Sequence, residues 1–114
     1  MMRSVVLAMA LAIGGCAATG NAHPEASRFD PATDAAIAYA DARTRSASSG
    51  KPLIAVLGAN WCHDSRALAG WLETPRFRQL FADNFELVLI DVGRPQTGAG
   101  LNMAIPASFG FDTL

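Results

Sequence analysis

The chain has 114 residues, which is enough for one domain and too few for two. Its formal net charge is −1 and its nine Lys and Arg residues are scattered, so the sequence lacks the basic patch of a nucleic-acid-binding protein, and we expect no nucleic-acid partner. Hydrophobic residues make up 51% and charged residues 17%, as in a globular chain with an apolar leader. Only two cysteines are present, Cys16 and Cys62, and we expect them not to pair.

The N-terminus has the pattern of a secretory signal peptide. A short positive region containing Arg3 precedes an apolar run from Val5 to Ile13. This run is too short to cross a bilayer as a helix, but it has the length of a signal-peptide core. We therefore predict that residues 1–15 are a signal peptide.

A candidate lipidation site follows directly. Gly14-Gly15-Cys16 resembles a bacterial lipobox, in which small residues precede a cysteine that is lipidated and becomes the new N-terminus. The residue after this cysteine is Ala17 and not Asp, which resembles lipoproteins that are sent to the outer membrane of a Gram-negative cell. The alternative is ordinary cleavage after Ala22, which would remove Cys16. With lipidation, the expected location is the bacterial cell envelope, on the periplasmic side, with a lipid anchor in the outer membrane.

The next segment divides into a linker and a helix. Residues 16–29 have no apolar periodicity and are rich in small and polar residues, so we interpret them as a flexible tether in which His23 is solvated. Asp30 and Pro31 are typical of a helix start, and Gly50 is typical of a helix stop. The predicted core stripe of this helix consists of Ala36, Ile37, Ala40 and Ala47.

A cysteine lies at the junction of a predicted strand and a predicted helix. The apolar run Leu53 to Leu57 predicts a parallel strand covered on both faces, and a helical pattern runs from Arg66 to Leu72. Cys62 therefore lies near a helix N-terminus, where backbone N–H groups and the helix dipole lower a thiol pKa from about 8.5. His63 and Arg66 would also lower the pKa and Asp64 would raise it, which leaves the net direction open.

The alternative for Cys62 is that of a small buried hydrophobe at a helix start, as for many free cysteines. That alternative leaves the polar sequence around the cysteine unexplained.

The remaining elements extend the α/β pattern. Leu68, Trp71 and Leu72 recur at helical spacing and are expected to face a core. Thr74-Pro75 is expected to restart or kink the helix, and the apolar face continues as far as Asn84. The later elements are a strand, a loop and a short helix, over Glu86–Val92, Gly93–Gly100 and Leu101–Phe109 respectively. Parallel pairing of the two strands through a crossover is expected.

The motif Trp61-Cys62-His63-Asp64-Ser65 resembles the Trp-Cys-x-x-Cys active site of the thioredoxin superfamily. It is most similar to periplasmic thioredoxin-like proteins with Trp-Cys-His-Asp-Cys or Trp-Cys-His-Asp-Ser. The resemblance extends from Asp30 to the C-terminus and implies an α/β, thioredoxin-like fold with parallel central strands flanked by helices. It also implies that Cys62 is the attacking thiol, that Trp61, His63 and Asp64 shape the site around it, and that the partner is a cysteine-containing protein or a small thiol.

The sequence departs from the family pattern at three places. Ser65 replaces the resolving cysteine, so an internal disulfide cannot form at this site. Val56 and Leu87 occupy the positions of the buried Asp and of the Lys that act as a proton relay in thioredoxins.

The third departure concerns the C-terminal part. The segment Phe109-Gly110-Phe111 is similar to the family's helix exit, which precedes a cis-proline strand. We therefore place Pro106 inside the helix before this exit and do not identify it as the cis-proline. The domain, over residues 30–114, is accordingly expected to be incomplete, truncated before the cis-proline strand.

Two functional hypotheses follow. In the first, a single thiol, Cys62, carries out thiol–disulfide exchange through mixed disulfides, and Ser65 donates a hydrogen bond to its thiolate. In the second, the chain is a non-catalytic binding module or a truncated remnant without turnover. No cofactor is expected. No metal site is expected either, since Cys62 and His63 are adjacent and lack the further ligands of a closed zinc site.

Overall fold

The computed structural model describes residues 23–114. Predictions for the signal peptide, for Cys16 and for cleavage after Ala22 lie outside these residues. The described elements, in chain order, are α1 Ala35–Ser49, β1 Leu53–Gly58, α2 His63–Glu73, α3 Pro75–Asn84, β2 Glu86–Asp91, β3 Gly93–Arg94, a 3-10 turn Pro95–Thr97, β4 Ala99–Gly100 and α4 Ala104–Ser108. None of the helices in this range has the length and apolar character needed to span a bilayer.

Strands β1 and β2 form the central sheet. They pair in parallel, with Leu53 opposite Glu86 at one end and Gly58 opposite Asp91 at the other. Helices α2 and α3 connect them, as expected for a parallel crossover. Helix α1 packs on this sheet with its small residues, and the buried cluster that results contains Ala35, Ala42, Val88, Ile90, Val92 and Ile105. The predicted α/β architecture is confirmed.

Strand β1 is less covered than its sequence indicates. Among the described residues it pairs with β2 alone. Its side chains from Leu53 to Leu57 are all half-buried. The prediction of a strand covered on both faces is therefore wrong for this part of the chain, because a groove between α1 and β1 leaves Leu53, Ala55 and Leu57, which share one face, partly open.

Helix α1 begins four positions later than predicted. Its N-cap is Asp34, whose carboxylate accepts a hydrogen bond of 3.1 Å from the Ile37 N–H. The carboxylate of Asp30 instead closes a turn by accepting from the Ala32 N–H at 2.9 Å. The helix stops at Gly50 as predicted, since this glycine adopts a left-handed conformation with φ of 71°.

The face that α1 buries also differs from the predicted stripe. The buried residues are Ala35 and Ala42, whereas Ile37 is 60% exposed. Small side chains allow the helix to approach the sheet closely, and a stripe chosen by hydrophobicity alone does not capture this.

Residues 23–29 are packed against the domain and do not form the expected tether in this part; we call them the N-terminal strap. The Ala26 N–H donates to the Arg66 carbonyl at 3.0 Å, and the Phe29 ring is fully buried. The Asn60 side chain accepts from the Phe29 N–H at 2.9 Å and donates to its carbonyl at 2.7 Å. These contacts hold the strap in place and pair its backbone groups. They follow no regular spacing along the chain, so no periodic pattern in the sequence indicates them.

The buried face of α2 differs from the predicted one in a similar way. Ala69 and Gly70 are buried, whereas Leu68 and Trp71 are 46% and 47% exposed. Trp71 packs edge-on against Phe77 of α3, with ring centroids 6.3 Å apart. Of the two outcomes expected at Thr74-Pro75, the structure has a restart: Thr74 is the N-cap of α3 and Pro75 is its first residue.

The C-terminal region contains more structure than a loop and a helix. Strands β3 and β4 pair in an antiparallel arrangement around the 3-10 turn, within the predicted loop. Helix α4 is shorter than predicted and contains the buried Pro106. No cis peptide bond occurs among the described residues, so Pro106 lies inside the helix as predicted and is not a cis-proline.

Candidate functional site

Cys62 is the N-cap residue of α2, in the turn that follows β1. Its backbone N–H donates to the Ala59 carbonyl at 3.1 Å, and its carbonyl accepts from the Arg66 N–H at 3.1 Å. The thiol is free and half-buried. The strand-to-helix junction predicted from the sequence thus places this half-buried thiol at the first turn of a helix.

The polar groups of the first helical turn lower the pKa of the Cys62 thiol. The two largest contributions both lower the pKa, and they come from hydrogen bonding by the Ser65 hydroxyl and then by the Ser65 backbone N–H. Partial burial is the next largest and raises the pKa; the Asp64 N–H, which lowers it, and the negative charge of Asp64, which raises it, have smaller effects. The net direction, which the sequence left open, is therefore toward the thiolate.

Ser65 is held in place by the end of β1. Its hydroxyl oxygen accepts from the Ala59 N–H at 3.3 Å. A Cβ on Gly58 would lie 2.7 Å from this oxygen and 2.6 Å from Cζ of Phe29, so any larger residue at this point of the strand would have to displace the hydroxyl or the ring. The Ser65 hydroxyl is thus positioned by a backbone N–H, beside a glycine that leaves room for it.

Trp61 lies beside the thiol and is fixed by the β3–β4 hairpin. Its Nε1 donates to the Gly93 carbonyl at 2.8 Å, and the Arg94 guanidinium lies 4.4 Å from its ring centroid. The ring remains 46% exposed. Trp61 therefore forms a rim next to Cys62.

A cavity of about 210 Å³ opens at this rim. Its walls come from the end of β1, the first turn of α2 and the β3–β4 region, and they include Leu57, Gly58, Ala59, Trp61, Cys62, Ser65, Val92, Gly93, Pro95, Gln96 and Leu114. A larger groove of about 520 Å³ lies between α1 and β1, and no cysteine lines it. We assign the smaller cavity as the candidate site because it is lined by the thiol whose pKa is lowered.

His63 and Arg66 do not act on the thiol as expected. The His63 Nδ1 lies 3.0 Å from Oε1 of Glu25, and the Arg66 Nε lies 3.0 Å from its Oε2. The Arg66 hydrogen bond is the main cause that lowers the pKa of the Glu25 carboxyl. The two basic side chains are therefore directed at the strap, and the pKa of Cys62 depends on Ser65 and Asp64 instead.

The strap also brings the chain's two histidines together. The rings of His23 and His63 meet edge to face, with centroids 5.0 Å apart. With Glu25 they form a cluster in which one potential metal-ligand atom from each residue lies within 4.8 Å of the others. Sequence reasoning missed this cluster because His23 was assigned to a tether, and no local pattern links it to His63.

Polar groups are absent from the sheet positions where thioredoxins carry their proton relay. Val56 and Leu87 are half-buried on β1 and β2. Among the described residues no polar or charged side chain is fully buried. The site therefore has its thiol, hydroxyl and indole, and at the two relay positions it has apolar side chains in place of a carboxylate and an amine.

Known proteins show what this arrangement is similar to. Residues 34–110 match a protein family described as thioredoxin-like. The solved structure of a disulphide isomerase from Xylella fastidiosa Temecula1 is similar with a TM-score of 0.67 and 33% sequence identity. The match covers 75% of this chain and 62% of that chain, so the chain spans less than two thirds of that protein. No curated protein matches the sequence.

Proposed function

Because the chain belongs to the thioredoxin-like family, we propose that it is a thiol–disulfide exchange protein that uses the single thiol of Cys62. A thiol–disulfide oxidoreductase-like kind of protein follows from the family and from the similarity to a disulphide isomerase. The observation that carries the single-thiol mechanism is the pairing of a thiol of lowered pKa with Ser65 at the position of a resolving cysteine.

The proposed reaction has two steps. The Cys62 thiolate attacks one sulfur of a disulfide, forms a new S–S bond and releases the other sulfur as a thiolate. A second thiol, from the partner or from a small molecule, then attacks the mixed disulfide and releases Cys62 as a thiolate. One disulfide is exchanged for another overall, so no external oxidant or reductant is needed.

The described residues support each step with a specific feature. The Ser65 hydroxyl stabilises the thiolate before attack and after release. The cavity beside Trp61 offers an apolar rim to a cysteine-containing protein or a small thiol. Ser65 cannot form a disulfide with Cys62, so the mixed disulfide persists until an outside thiol arrives.

The experiment uses the chain carrying Cys16→Ser, in which Cys62 is the sole thiol. Incubation with oxidised glutathione should give a mixed disulfide visible by mass spectrometry, and reduced glutathione should release it. Insulin reduction should stay near background, and Ser65→Cys should raise it. Adding Cys62→Ser is the matched control. A chain that binds a disulfide-containing peptide equally well with and without Cys62, and forms no mixed disulfide, would instead be a non-catalytic binding module.

We also propose that Cys16 is acylated and holds the domain at the periplasmic side of a bacterial outer membrane. The support is the sequence Gly14-Gly15-Cys16 after a short apolar run. A single acyl chain gives only marginal membrane binding, so two or three chains are expected. Mass spectrometry of the processed N-terminus tests this: an acylated Cys16 supports the proposal, and an unmodified product that begins at His23 contradicts it.

A further inference from the structure

We propose that His23, Glu25 and His63 form a binding site for Zn²⁺ at the junction of the strap and α2. Two imidazoles and one carboxylate are a donor set that suits zinc, which binds histidine nitrogen and carboxylate oxygen. The three side chains converge from two separate segments of the chain. This inference does not depend on the redox chemistry proposed for Cys62.

The distances between the donors suit a tetrahedral ion. With metal–ligand bonds of about 2.0–2.2 Å, two ligand atoms of a tetrahedral zinc site lie about 3.4 Å apart. The His63 Nδ1 and the Glu25 Oε1 are 3.0 Å apart. All three donor atoms fall within 4.8 Å of one another, so small rotations of exposed side chains suffice to close the site.

The strap that supplies two of the ligands is held by contacts outside the cluster. The Ala26 N–H bonds to α2, and the buried Phe29 fixes the strap's C-terminal end. A Cβ on Gly70 would lie 2.2 Å from the Pro24 carbonyl oxygen, which shows how closely the strap lies on the helix. The ligands are therefore brought together by the fold and need no metal to meet.

Arg66 has the place of a supporting residue in this site. Its Nε bonds to the Oε2 of Glu25, while the Oε1 faces His63. Supporting hydrogen bonds of this kind orient a ligating carboxylate. The positive charge of the Arg66 guanidinium repels a zinc ion, and the negative charge of the Glu25 carboxylate offsets that repulsion. All three ligands are exposed, so water can fill the fourth position of the ion.

The test measures Zn²⁺ affinity by competition with a chromophoric chelator, using the chain that carries Cys16→Ser. We expect one zinc ion per chain and no competition by Mg²⁺, which prefers oxygen ligands. His23→Gln, Glu25→Gln and His63→Gln should each weaken binding by more than about tenfold, since losing even a supporting partner typically costs about 10–100-fold.

Two variants serve as matched controls. Glu73→Gln removes a carboxylate of α2 that lies outside the cluster and is paired with Arg28, and Cys62→Ser removes the neighbouring thiol. Both variants should keep a zinc affinity within about twofold of the parent's, whereas each ligand substitution should weaken it by more than about tenfold. Equal zinc binding by the parent and by His23→Gln or His63→Gln would overturn the proposal, as would loss of binding in Cys62→Ser.

A second measurement is made on the parent chain, so its result holds even if a substitution disturbs the packing of the strap. The chain's only histidines are His23 and His63, so their imidazole proton signals can be assigned by single substitution. Stoichiometric Zn²⁺ should shift both sets of signals in the parent. Unshifted imidazole signals at saturating zinc would overturn the proposal without any substitution.

Discussion

The carbonyl oxygen of Pro24 lies so close to Gly70 that a Cβ at residue 70 would stand 2.2 Å from it. This contact joins the strap to the middle of α2. Gly70→Ala should therefore destabilise the fold by about 1–3 kcal/mol, as overpacking does in close-packed sites. In an open helix the same change would stabilise by about 1 kcal/mol. Urea unfolding of the two proteins measures the difference.

The control for this prediction removes the contact and keeps the helix. In a chain that begins at Ala26, residue 70 no longer faces Pro24. The alanine should then be neutral or favourable by up to about 1 kcal/mol. Equal destabilisation in the long and the short chain would show that the strap does not press on Gly70.

Gly58→Ala tests the close packing under the site. The added methyl group would lie 2.6 Å from the buried Phe29 ring and 2.7 Å from the Ser65 hydroxyl oxygen. We expect a loss of about 1–3 kcal/mol in the free energy of unfolding. Displacement of the hydroxyl should also raise the pKa of Cys62. Phe29→Leu removes the ring carbon that the new methyl group would meet, so Gly58→Ala should cost less in the Phe29→Leu background than in the parent. If the two losses in stability simply add, the two residues are not in contact.

Ser65→Ala removes the largest cause of the lowered pKa of Cys62. The thiol pKa should rise, so the alkylation rate at neutral pH should fall. The Ala59 N–H also loses its acceptor, with a cost of about 0.5–1.5 kcal/mol in the free energy of unfolding. Ser65→Thr keeps the hydroxyl and is the matched control. An unchanged alkylation rate in Ser65→Ala would show that the hydroxyl does not stabilise the thiolate.

Trp61→Phe removes the indole donor and retains an aromatic ring. The Gly93 carbonyl then loses its 2.8 Å hydrogen bond, and a phenyl ring attracts the Arg94 guanidinium less strongly than an indole. We expect the free energy of unfolding to fall by about 1 kcal/mol, as is typical for one hydrogen bond. Trp71→Phe is a control because the Trp71 ring packs on Phe77 of α3, a contact that a phenyl ring can retain. Hydrogen exchange of the β3–β4 backbone should accelerate in the first variant and not in the second.

Strong local signals allowed the main elements to be predicted. Apolar runs marked β1 and β2, Gly50 marked the end of α1, and Thr74-Pro75 marked the start of α3. In each case the deciding force acts within a few residues: burial along a strand, a left-handed glycine, or a proline that cannot continue a helix. The strand-to-helix position of Cys62 followed from two such signals.

Features that depend on distant contacts were not predicted. The strap is ordered by Phe29, Asn60 and Arg66, which lie on three separate segments. Helix α1 begins later than predicted because the Asp30 carboxylate accepts from the Ala32 N–H in a turn and does not cap the helix. The exposure of Trp71 reflects the small residues that α2 turns toward the strap. The direction in which the pKa of Cys62 shifts could not be predicted either, because it depends on whether His63 and Arg66 face the thiol or another residue. In the structure both pair with Glu25.

Activation of the Cys62 thiol by the fold can be measured directly as the rate of Cys62 alkylation by iodoacetamide as a function of pH, in the chain carrying Cys16→Ser. Since the thiolate reacts and the thiol does not, the midpoint of the rate profile reports the thiol pKa. We predict a midpoint below the value of about 8.5 of a free cysteine, and a return to that value when the same chain is unfolded in urea. A folded-state midpoint equal to or above the one in urea would show that the fold does not activate this thiol.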